Sequence, residues 1–110
     1  MKNLKDSTFE ENVLKIQFAL VAFISANSGI SYIQSSILKK LEKDYENRIS
    51  IYQIDFEKNR KSVDHFKIYR VPTILFFKYG ELVDQWIGSI SREELVARIN
   101  RIMGSLPRQN

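Results

Sequence analysis

The sequence contains no cysteine. That absence excludes disulfides, cysteine-ligated zinc, iron–sulfur clusters and thiol nucleophiles together among its 110 residues. It has one histidine, His65, which has no evident orienting acid, so a serine-hydrolase arrangement is not expected and His65 reads as a surface helix residue. Nothing in the sequence implies a metal or an organic cofactor. Glycine and proline are scarce, at four and two, unlike a disordered or low-complexity chain. Long hydrophobic runs are missing too. The longest, residues 18–24, falls far short of the roughly 20 needed to cross a bilayer, and residues 1–12 carry no apolar leader. The expectation is a cytoplasmic location without membrane association. Charge of one sign is likewise not concentrated, although the formal net charge is +4. Lys39, Lys40 and Lys43 are interleaved with Glu42, Asp44 and Glu46, and Arg92, Arg98 and Arg101 accompany Glu93 and Glu94. Such mixtures read as solvated helix faces rather than a nucleic-acid stripe.

What is present is a hydrophobic fraction of 44%, enough for one core, and residues 1–110 read as a single domain with a tail at 105–110. Asp6 or Ser7 caps a short first helix with Phe9, Val13 and Leu14 on one side. Residues 17–25 are almost continuously apolar, the pattern of a strand buried on both faces and central in a sheet. Ile30, Ile33, Ile37, Leu38, Leu41 and Tyr45 recur at three- and four-residue spacing, which predicts an amphipathic helix ending near Asn47. Ile49, Ile51 and Ile54 mark a second buried strand, and a short helix over 62–69 turns Val63 and Phe66 inward. Pro72 breaks the helical pattern before the strand 74–77. Tyr79-Gly80 is a hairpin turn into the returning arm 81–87, and Trp86, Phe76 and Phe77 belong to sheet packing. Ser91-Arg92-Glu93-Glu94 forms a capping box for a last helix that buries Leu95, Ile99, Ile102 and Met103 and stops at Gly104. The order describes an α/β protein with a mixed sheet and helices on both faces.

Five segments resemble the thioredoxin family in order and spacing across nearly the whole chain: Leu20-Val21-Ala22-Phe23, Ser28-Gly29-Ile30-Ser31 opening the long helix, Val71-Pro72-Thr73, Phe77-Lys78-Tyr79-Gly80-Glu81, and Gly88 before the capped last helix. The resemblance implies the thioredoxin fold. It also implies that Ser28 and Ser31 stand at the positions of the nucleophilic and resolving cysteines. There a thiolate is favoured by the helix N-terminus, attacks a substrate disulfide and is released by the second thiol. Serine cannot form a disulfide, and its hydroxyl ionises far above the reach of a helix-terminus shift. Exchange is therefore chemically unavailable to these residues. Other departures accompany the serines: Ala22 where the family usually has a buried acid, Asn27 for the tryptophan before the first cysteine, and Ile30 for the intervening proline.

The resemblance further implies a cis Val71-Pro72 bond facing Ser28, and a groove in which Val71, Pro72 and Thr73, together with Gly29 and Ile30, receive an extended peptide by strand addition. Tyr32 is a candidate contact beside it. Ser28 is independently expected to cap the helix by accepting the Ser31 N–H. Three readings stay open on sequence alone. One is a redox-inactive member that binds a protein or extended peptide. Another is a serine form of a Cys-Gly-Ile-Cys thiol–disulfide oxidoreductase, whose native dithiol would be served by a thioredoxin reductase. The third is a non-catalytic scaffold module.

Overall fold

The computed structural model describes residues 1–104, so the expected tail at 105–110 lies outside the described residues. Five strands form one mixed sheet: β1 (Lys2–Leu4), β2 (Phe18–Ile24), β3 (Ser50–Asp55), β4 (Thr73–Lys78) and β5 (Glu81–Ile87), in the spatial order β1-β3-β2-β4-β5. β3 runs parallel to β1 and β2, whereas β4 is antiparallel to both β2 and β5. Helices α1 (Gly29–Asp44), α2 (Arg60–His65) and α3 (Arg92–Gly104) cover the two faces.

β2 occupies the centre because alternate side chains feed two cores. Phe18, Leu20 and Ala22 point to one, where α1 contributes Leu38 and Leu41 and α3 contributes Leu95 and Ile99. Ala19, Val21 and Phe23 point to the other, with Phe9, Val13, Val63 and Ile68. β4 repeats the alternation, Ile74 and Phe76 against Leu75 and Phe77. Each large apolar side chain so buried contributes roughly 1.5–3 kcal/mol. On the second face Phe9, Phe66 and Phe77 form a ring cluster with centroids 5.2–5.9 Å apart.

Several boundaries differ from the sequence expectation. Lys2–Leu4 form an edge strand that was not expected. The first helix is instead a 3₁₀ turn at Asp6–Thr8 followed by a π-helical turn at Glu10–Leu14; Phe9 and Val13 are buried, but Leu14 is partly exposed. Helix α1 ends at Asp44 rather than Asn47, and its inward stripe is Ser31, Gln34, Leu38, Leu41 and Tyr45. Ile30 and Ile33 lie outside that stripe, and both are exposed. α2 starts and stops earlier than expected, because Lys67 adopts a positive φ of 55° that ends helical geometry. The hairpin turn has positive φ at both Tyr79 and Gly80, matching the twist of a two-residue connection. Gly80 is required there: a Cβ would lie 2.5 Å from the Leu14 carbonyl oxygen.

α2 is held at its start from outside. The Asp6 carboxylate accepts the N–H groups of Lys61 (3.2 Å) and Ser62 (2.9 Å), while Asn59 Oδ1 accepts the Asp6 N–H at 2.9 Å. Burial pushes the Asp6 carboxyl up, but the hydrogen bonds from Ser62 and Lys61, with the Lys61 charge, outweigh it and hold the group below its ordinary value. A carboxylate favoured in the folded state stabilises fully above its unfolded pKa, and that contribution is lost as pH falls through the folded value. Asp6→Asn is therefore expected to lower the melting temperature at neutral pH and to flatten its decline below about pH 4. Melting curves followed by circular dichroism across pH check this; an unchanged acid limb would contradict it.

Candidate functional site

The C-terminal end of β2 and the N-terminal end of β4 meet at one end of the sheet, where Phe23 pairs with Thr73. The loop leading to Ser28 and the loop carrying Val71 and Pro72 therefore leave the sheet from the same end. Ser28 is the N-cap of α1, in extended backbone geometry, and its Oγ accepts the Ser31 N–H at 3.2 Å. Ser31 is only 1% exposed, and its Oγ accepts the Ser25 N–H at 3.1 Å. The Ser28 N–H donates in turn to the Ser25 carbonyl, and the Tyr32 N–H to the Ser28 carbonyl. These bonds close the first turn of α1 onto the end of β2. The serines thus use their oxygens as acceptors for backbone N–H groups; neither is partnered by a base. His65 is exposed at the end of α2, its ring edge-on to Phe66.

Ala22, at the position of the family's acid, is fully buried between Gln53 and Ile74. The Val71–Pro72 peptide is cis. Pro72 is buried and its carbonyl accepts the Gly88 N–H at 2.8 Å. Thr73, expected among the groove residues, is 2% exposed, and its hydroxyl donates to the Arg70 carbonyl at 2.7 Å. Its side chain is thus committed inside the fold. Val71 is half-buried, and its N–H and C=O take no partner among the described residues.

Around this end several apolar side chains face solvent: Ile30 (56%), Tyr32 (74%), Ile33, Tyr69 (81%) and Ile87. Gly29 is exposed as well. Ile33, Tyr69 and Ile87 were not singled out from the sequence as site residues. The available signal for Ile87 was its hairpin register, which puts it opposite Thr73 on an edge strand. Beside Thr73, a shallow cleft of about 140 Å³ runs between Ile68, Tyr69 and Ile87, with Lys67 and Arg70 also lining it. Trp86 is not part of this surface. It is half-buried against the α1/α3 core, donates to the Ser89 carbonyl and lies under the Arg98 guanidinium. Among the described residues no three potential metal-ligating side chains come together, and no helix is long and apolar enough to cross a membrane.

A sequence-family model described as Thioredoxin matches residues 1–101. The thioredoxin of Buchnera aphidicola subsp. Acyrthosiphon pisum is 31% identical over 93 residues, covering 84% of this chain and 86% of the relative. That of Staphylococcus haemolyticus is 29% identical, covering 87% and 91%. Chloroplastic thioredoxin M4 of Arabidopsis thaliana is 31% identical over 102 residues, 92% of this chain, which spans about half (53%) of that relative.

The hydrogen-bond chain makes a graded prediction. Ser31→Ala leaves the buried Ser25 N–H without an acceptor and is expected to destabilise by about 1–3 kcal/mol. Ser28→Ala removes only a partly exposed cap, a loss of about 1 kcal/mol. Urea unfolding of the two variants checks the order; a larger loss at Ser28 would contradict the geometry.

Proposed function

Because this chain belongs to the thioredoxin family yet carries serine at both dithiol positions, we propose that it is a redox-inactive member acting in the cytoplasm. Its activity is reversible binding of an extended segment of a partner protein across 28–31 and 71–73. The observation that carries this reading is Val71: an N–H and a C=O without partners among the described residues, next to the cleft where Tyr69 and Ile87 are exposed, with Ile30 and Tyr32 exposed on the first turn of α1. An unpaired donor and acceptor on one residue suit strand addition, and the exposed apolar residues supply side-chain contacts. Thr73 acts there through its backbone position, since its side chain is internal.

Peptides selected on the immobilised protein from a random display library are expected to bind the native surface and to lose at least tenfold in affinity, about 1.4 kcal/mol, with Ile30→Asp or Tyr69→Asp. Selection yielding no peptide, or binding indifferent to both changes, would overturn the proposal.

A second reading is favoured by the likeness of the two serines: they are identical residues at both dithiol positions, as in a serine form of a Cys-Gly-Ile-Cys oxidoreductase served by a thioredoxin reductase. Restoring both cysteines tests the scaffold. The Ser28→Cys/Ser31→Cys protein is expected to accelerate insulin reduction by dithiothreitol while the parent leaves the rate at background; no gain would count against the oxidoreductase reading.

A further inference from the structure

On the side of β2 away from Val71, the chain divides at the strand ends. β2 continues into α1, which packs on one face, while β3 leads to α2, on the other face with β1's Leu4. Where neighbouring parallel strands send their connections to opposite faces, a crevice opens beyond their carboxyl ends. Here it has a volume of about 520 Å³ and reaches from the end of β2 across β3 to β1, within the ordinary range for small-molecule pockets.

The lining decides what fits. Leu4, Ile24 and Ala26 supply apolar surface. The amides in the walls are occupied: Gln53 bridges Ser35 and Asn3 at 2.6 Å each, and Asn59 bridges the Asp55 carbonyl and the Asp6 N–H at 2.9 Å each. Asp55 Oδ1 accepts the Glu57 N–H. The cationic groups of the lining are the ammonium groups of Lys5 and Lys58, and neither pairs with a carboxylate among the described residues. Two cations against the single carboxylate of Asp55, above an apolar floor, select a ligand with an apolar body and one anionic head.

We propose that this crevice binds a small amphiphilic organic anion, an aryl or alkyl carboxylate or sulfonate, with its body over Leu4, Ile24 and Ala26 and its head between Lys5 and Lys58. The site is separate from the Val71 surface, because β3 and β4 flank β2 on opposite edges.

The probe is 8-anilinonaphthalene-1-sulfonate, followed by fluorescence with the full chain and competed by naphthalene-2-carboxylate. Saturable binding at one site is expected, weakened at least tenfold by Lys5→Met/Lys58→Met, blocked by Ala26→Trp and unaffected by Tyr69→Asp on the other surface. Circular dichroism of each variant confirms folding, and the paired lysine change carries the test should Ala26→Trp fail to fold. Binding that does not saturate, that ignores loss of both lysines, or that disappears with Tyr69→Asp instead would overturn the assignment.

Discussion

A strand with partners on both edges and helices over both faces turns neither side to water, so a polar side chain on it needs an internal partner, and β2 avoids that need by being apolar from Phe18 to Ile24. The remaining elements are arranged around this constraint. The even-numbered positions set what α1 and α3 must cover, and the odd-numbered positions set what α2 and the N-terminal turns must cover. Its antiparallel pairing with β4 brings Thr73 level with Phe23, and this register places the Pro72 loop at the end where α1 begins. Both surfaces argued to bind ligands are consequences of how chain leaves β2 and its neighbours, one on each edge.

Much of this was legible because the signals were local and strong. An unbroken apolar run can only be a fully buried strand or a buried helix, and seven residues favour the strand. Ser28 capping α1 followed from one residue type at one spacing, and the same holds for Ser91, whose hydroxyl accepts the Glu94 N–H. β1 was not legible: it has three residues, two of them Lys2 and Asn3, and its pairing is with residues some 50 positions away. No local pattern reports such a contact.

The misreadings at the site share a cause. Ile30 and Ile33 fit an apolar helical spacing, but the first turn of α1 stands at the end of the sheet, so only Ser31 and Gln34 face inward there. Gln34 is buried because its amide both donates to the Ile90 carbonyl and accepts the Ile90 N–H, an exchange that satisfies a polar group where the stripe seemed to call for an aliphatic one. Periodicity reports which residues could face a core. Whether a core lies beneath them is a property of the assembled sheet. The direction of the Thr73 side chain was not legible either: the motif places the residue, and the bond from its hydroxyl to the Arg70 carbonyl turns the side chain inward.

The hydrogen bonds from Ser25 to Ser31 and from Ser31 to Ser28 carry a consequence for when this surface is available. A dithiol at the same two positions alternates between covalent states, and its neighbourhood is presented differently in each. Two hydroxyls have one covalent state. The first turn of α1 therefore has no covalent switch that follows the electron supply around it, and a partner bound at this end, as proposed, would meet a constant rather than a gauge.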